Sequence, residues 1–303
     1  MKKLLFIPSD WQLKPHPDLF NAFSKEFETM YHEFIGDSID FNPDYIYLQS
    51  GALSPYIVND IKKRTGAVVI QWTGDCRLEP LQEVLSYKDI ADITLLAAGI
   101  GQKKMYEDIL KHPVEYWQHG VADSHFRELK TDIEPKKVRF IGNAYSQFEG
   151  GVERNALCEL LTENLEEFEV WGSGFSDKSK YRNPDTIPYR QTFDLYNETY
   201  IGISANIFNS IEGYWSNRPL DIMAAGSCCL MRYVPNLEIH FEDMENAVFY
   251  YNNMDALDKI RYLLKNEELR NEIAENGQKL VKKYHTFEYR ALELKNIISL
   301  HCE

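Results

Sequence analysis

The chain has 303 residues, enough for two domains with separate cores, and 44% hydrophobic with 26% charged residues mark a folded globular protein. A net charge of −14 excludes a broad electrostatic grip on nucleic acid or anionic lipid but leaves room for a local basic groove. Five cysteines in no metal or redox spacing, and no apolar run near the ~20 residues that span a bilayer, predict a cytoplasmic protein with reduced thiols.

Residues 4–7, LLFI, make a short buried strand, and Pro15 and Pro17 interrupt the loop after it. A helical pattern covers Leu19 to Phe27. Strand Tyr45 to Leu48, helix Pro55 to Arg64 and strand Ala67 to Trp72 follow. The last of these, AVVIQW, is a near-continuous apolar run, as strands buried on both faces of a parallel sheet are. Helix Leu81 to Ile90, strand Ile93 to Ala97, helix Gln102 to Leu110 and strand Val114 to Trp117 continue the alternation. Strand and helix alternating over about 120 residues predict a doubly wound parallel sheet.

Residues 128–137, ELKTDIEPKK, are polar with one proline and read as a linker, so domains are expected at 1–127 and 138–285. The second half runs through strand Val138 to Gly142, helix Arg154 to Leu161, strand Phe168 to Trp171 and a polar loop over 173–191. Helix Thr192 to Asn197 and strand Tyr200 to Ser204 lead to the stretch IEGYWSNRPLDIMAAGSCCL at 211–230. Strand Ala247 to Tyr251, helices 255–265 and 267–284, and a last helix over 286–300 complete the chain.

In the 211–230 stretch, Ser216 and Asn217 are candidate helix caps, Pro219 sits in the first turn and Gly226 is the stop. Arg218 and Asp221 fall in the first turn, where free backbone N–H groups already favour an anion. A cation there suits a phosphate, and a carboxylate one turn in can accept two hydroxyls. The plainer reading is a surface helix whose Arg and Asp pair with each other. Metal ligation has little support: there is no His-x-x-x-His or Asp-x-Asp, and the adjacent Cys228 and Cys229 would point to opposite faces of a strand.

Ser216-Asn217-Arg218, then Asp221, then Met223-Ala224-Ala225-Gly226 resembles the donor-binding segment of GT-B glycosyltransferases. The resemblance is to the group-1 type, and within it to the spore-maturation-protein-like branch. It implies an α/β fold of two Rossmann-like domains with a cleft between them, and a C-terminal helix (286–303) crossing back to the first. It also implies metal-independent transfer of a sugar from a nucleotide-diphosphate donor, a UDP-sugar, to a hydroxyl. No cofactor is implied, because the nucleotide sugar is a co-substrate. Cell-wall glycan, protein, small metabolite and a modified DNA base all stay open as acceptor. A nucleotide-sugar epimerase of the same architecture and a catalytically silent nucleotide- or glycan-binding module stay open as alternatives.

The same resemblance places Gly142 and Asn143 in the loop facing the donor diphosphate, with Gly150-Gly151 offering close backbone approach. It sets Trp171-Gly172-Ser173-Gly174, Tyr189 and Arg190 beside nucleobase and phosphate. Eight residues separate Glu212 from Asp221 where the retaining branch has seven between its two glutamates, so the role of Glu212 departs from that pattern. In the first half, Trp72-Thr73-Gly74-Asp75-Cys76-Arg77 at a strand's carboxyl end makes Asp75 a candidate base for the acceptor hydroxyl, against a purely structural pairing with Arg77. His119, near the expected hinge, is the second candidate.

Overall fold

The computed structural model describes residues 1–8, 17–97, 99–130, 137–175 and 187–302. The chain forms two compact units, Met1–Gly120 with Phe287–Glu303 and Val121–Thr286. The first contains β1 (Lys3–Ile7), α1 (Pro17–Glu26), β2 (Glu28–Tyr31), α2 (Ile35–Phe41), β3 (Tyr45–Gln49) and α3 (Pro55–Thr65). It continues with β4 (Val68–Thr73), α4 (Gln82–Leu85), β5 (Ile93–Leu96), α5 (Lys103–Leu110) and β6 (Val114–Tyr116). Six strands pair in parallel in the order β2-β1-β3-β4-β5-β6. The apolar runs of β1, β3 and β4 are buried on both faces, as the sequence requires of central parallel strands. Proline in the first turn of α3 and Gly66 at φ 73° beyond its end bound that helix.

Three local differences from the sequence reading stand out. The helix expected over 81–90 is only α4, because Tyr87 is drawn into the core, its hydroxyl donating to Leu53 O, and the chain continues in turns. β2 and α2 were not foreseen: β2 is a half-exposed edge strand of four residues with no apolar run to betray it. The helix expected from Arg154 begins a turn and a half earlier, at Glu149.

The second unit contains β7 (Val138–Ile141), α6 (Glu149–Asn164), β8 (Phe168–Trp171), α7 (Tyr189–Asn197), β9 (Ile201–Ser204) and α8 (Arg218–Ala224). β10 (Cys228–Arg232), β11 (Val248–Tyr250), α9 (Asn253–Lys265) and α10 (Glu267–Tyr284) follow. Its five parallel strands run β11-β10-β9-β7-β8. A buried ionic brace ties the sheet's far edge: Arg139 on β7 and Lys137 each reach Glu169 on β8 at 2.8 Å. Burial alone would raise the Glu169 carboxyl, but hydrogen bonds and charge from these two cations hold it at about 2. Of the polar stretch 128–137, residues 131–136 lie outside the described residues, as do 176–186 of the long loop and Pro15.

The final helix, α11 (Phe287–Cys302), belongs to the first unit and packs on α1. Its buried face carries Phe287, Arg290, Ala291, Leu294 and Ile298, flanked by ion pairs Lys25–Glu288 and Lys295–Glu26.

Candidate functional site

Strand order decides where a ligand can sit in the second unit. From β7 the chain goes to β8 on one side, then returns to β9 on the other, so β7 and β9 flank the topological switch point. Open α/β sheets bind ligands there, outside the carboxyl ends of the strands. The loops leaving that edge begin at Gly142 after β7 and Ala205 after β9, and Arg218 spans them. Its Nε donates to Ile141 O at 2.8 Å and its Nη1 to Ala205 O at 3.1 Å, with Ser216 Oγ at 3.5 Å from Nη1. Its guanidinium lies 5.0 Å from the Phe140 ring centre. Nη2 covers Gly142, where a Cβ would stand only 2.5 Å from it, so glycine is required for this approach.

A second guanidinium stands behind the first. Arg154 on α6 is 3% exposed and donates to Asn143 O and to the same Ala205 O, both at 2.6 Å. It also lies 5.3 Å from the Phe140 ring. Neither arginine forms an ion pair among the described residues. Burial first, and the Arg218 charge second, pull Arg154 down to about 10. The sequence reading missed this residue, taking it only as a helix start.

Asp221 is 4% exposed and faces inward from α8. Tyr189 OH donates to its Oδ1 at 3.0 Å and Asn217 Nδ2 to its Oδ2 at 3.1 Å. Burial raises its carboxyl to about 7, against the opposing Tyr189 hydrogen bond and Arg218 charge. Asn217 therefore does not cap α8 as expected: it sits in right-handed helical geometry, makes no side-chain cap bond and holds Asp221 instead. Tyr189 opens α7 and rests edge-on against His125 and Phe193, themselves stacked at 4.1 Å.

Asn143 Oδ1 accepts from Ser173 N and Oγ at 3.2 and 2.9 Å, locking the β7 and β8 loops together. Gly172 permits their close approach, since a Cβ there would collide with Gly142 O. Gly150 and Gly151 do not precede a helix as expected, and the Gly150 N–H donates to Ile207 O. They lie within the first turn of α6, where the backbone of Ile207 and Tyr145 occupies the space a side chain would fill. Arg190 is exposed in the first turn of α7. Glu212 is exposed too and accepts from Asn236 Nδ2.

In the first unit, β4 and β6 deliver Asp75 and His119 to one sheet edge. The Asp75 side chain is 61% exposed and pairs with Arg77 at 3.2 Å, while its N–H donates to Thr73 Oγ1. The His119 ring packs edge-on to Trp72 at 5.1 Å and lies against Gly74, where a Cβ would be 2.9 Å from Cε1. The loop beneath is tied down by α11. Trp72 Nε1 donates to Trp117 O, Trp117 Nε1 to Arg290 O, and Arg290 Nε to His119 O.

No group of three or more His, Cys, Asp or Glu that could hold a metal ion occurs among the described residues, and no helix there is long and apolar enough to cross a membrane. Two parallel Rossmann-like sheets in one chain define the GT-B fold, and solved structures agree over the whole length. The Anabaena protein Alr3699/HepE, crystallised with UDP-glucose, superposes with a TM-score of 0.68 at 11% identity, covering 99% of this chain and 100% of that one. Sucrose-phosphate synthase from Thermosynechococcus elongatus gives 0.68 at 10% identity, covering 99% of each chain. A putative UDP-N-acetylglucosamine 2-epimerase from Listeria monocytogenes gives 0.58 at 12%, covering 99% and 97%. In sequence, residues 153–296 match the family described as glycosyl transferase-like. No curated protein matches the chain in sequence.

Proposed function

We propose that this chain is a glycosyltransferase of group-1 type, in the spore-maturation-protein-like branch, moving a sugar from a nucleotide diphosphate to an acceptor hydroxyl. Arg218 carries the reading: a half-buried guanidinium at the switch point, laid over Gly142, with no carboxylate paired to it among the described residues. Such a cation offsets the charge that builds on a departing diphosphate as its bond to the sugar breaks. Asn143 and Ser216 line its approach. Asp221, oriented by Asn217 and Tyr189, accepts the ribose hydroxyls, and Arg190, exposed in the first turn of α7, is the candidate for a phosphate. A uridine nucleotide is the donor of first choice, supported by the fold shared with a protein crystallised with UDP-glucose. Glu212, bonded to Asn236, has no part in this reading.

Asp75 takes the proton from the acceptor hydroxyl, with His119 the next candidate. The chemistry proceeds without a metal, so EDTA is expected to leave turnover unchanged; an absolute need for magnesium or manganese would point to another set of carboxylates. Free thiols at all five cysteines fit a cytoplasmic setting. A mass-spectrometric screen against nucleotide sugars tests the whole: release of nucleotide diphosphate with hydrolysis or transfer supports it. Interconversion of UDP-sugars without an acceptor would select an epimerase, a reading the Listeria fold neighbour keeps open. Binding without turnover would leave a silent module.

A further inference from the structure

We propose that Arg154 is a positioning residue for an anion of the diphosphate class, acting through Arg218; this rests on the donor-site reading above. The two guanidinium groups share one acceptor, Ala205 O, and one aromatic ring, Phe140. Arg154 also bonds Asn143 O, so a single side chain fixes the loops after β7 and β9, the two that flank the switch point. These are the loops on which Arg218 itself rests.

The charge arrangement is what distinguishes this from an ordinary buried brace. A buried arginine is normally paired, as Arg139 is with Glu169. Arg154 has Arg218 as its charged neighbour instead, and its Nε has no hydrogen-bond partner. Its own neighbour in sequence, Glu153, is turned away to Arg232 and Asn209, each at 2.6 Å. The carboxylate near Arg218, Asp221, is engaged by Tyr189 and Asn217 and makes no ion pair with either arginine. Two like charges held together with no carboxylate in ion-pair contact among the described residues form a site completed by an incoming anion, and a diphosphate supplies the matching charge.

Calorimetry with UDP-glucose and with inorganic pyrophosphate tests this on the wild type, Arg154→Gln, Arg218→Gln and the double variant. Arg154→Gln should weaken both ligands about tenfold or more, the scale of a lost charge-assisted hydrogen bond. In the Arg218→Gln background it should cost nothing further, because residues acting as a unit are not additive. Losses that add, as a general weakening of the fold would give, or unchanged affinity in Arg154→Gln, overturn the proposal. If Arg154→Gln does not fold, Arg154→Lys takes its place in the same cycle. Wild-type binding of pyrophosphate but not UDP-glucose, with the coupling intact, would remove the donor reading alone; binding of neither removes both.

Discussion

The carboxyl edges of the two sheets present acidic candidates in opposite states. Asp221 is buried, fixed by two donors and beside a cation, whereas the Asp75 side chain is 61% exposed and holds only Arg77 and its own loop. Position in the sheet explains the contrast. Asp221 and Arg218 serve the switch point between β7 and β9, where diverging loops open a crevice that the chain itself must line. In the first sheet the switch falls between β1 and β3, and Asp75 follows β4, one strand away. A preorganised polar cluster suits binding of one invariant charged group. An exposed carboxylate with a light tether suits a group that must meet a second substrate and exchange a proton with it.

The largest effect that would break this contrast concerns Asp75. Asp75→Asn keeps size and most hydrogen bonding but removes basicity, so transfer should fall by ~10²–10⁴-fold with donor affinity unchanged. Near-normal transfer would make Asp75 a loop brace and move attention to His119. Next comes Asp221. Its folded carboxyl sits at about 7, raised from an ordinary 3.8 by burial. The stability it lends is therefore fully present below about pH 4 and is lost as pH rises through 7, by on the order of 4 kcal/mol at most. Denaturant unfolding at pH 5 and pH 8 should show the larger part of that loss, the part falling above pH 5, in the wild type relative to Asp221→Asn; parallel pH profiles would mean the carboxylate is better solvated than its burial implies. The smallest effect belongs to Arg218. Arg218→Ala should weaken UDP binding ten- to a hundredfold, about 1.5–3 kcal/mol, with the unfolding midpoint little altered. Calorimetric affinity equal to wild type would take the diphosphate away from this residue.

The second contrast is between what spacing reveals and what topology hides. Ser216, Asn217, Arg218 and Asp221 were legible because they lie within two turns of chain, where helix geometry alone sets their relations. Their detailed roles were not: Asn217 was expected to cap α8, and only the buried carboxylate four residues on explains why its amide turns inward. Arg154 gave no signal, since its partners are 11, 51 and 64 positions away and meet it only through the β7–β9 pairing. The alternating sheets were readable from continuous apolar strands, while β2, short and half-exposed, was not. Gly150 and Gly151 carry a related lesson: they lie inside α6, not before it. Glycine reports that something approaches closely, and here it is the chain's own backbone at Ile207 and Tyr145.

The placement of α11 bears on how the molecule is made. The second unit is one uninterrupted stretch, Val121–Thr286, but the first is assembled from the beginning of the chain and its last helix. During synthesis the six-stranded sheet and α1 must wait for the helix that packs on α1 until more than 280 residues have been added. The later-made unit can finish first, reversing the usual N-terminal-first order. The Trp72, Trp117 and Arg290 relay that secures the His119 loop then forms last, so a chain stopped before Phe287 would retain a complete second unit and an unfinished first one.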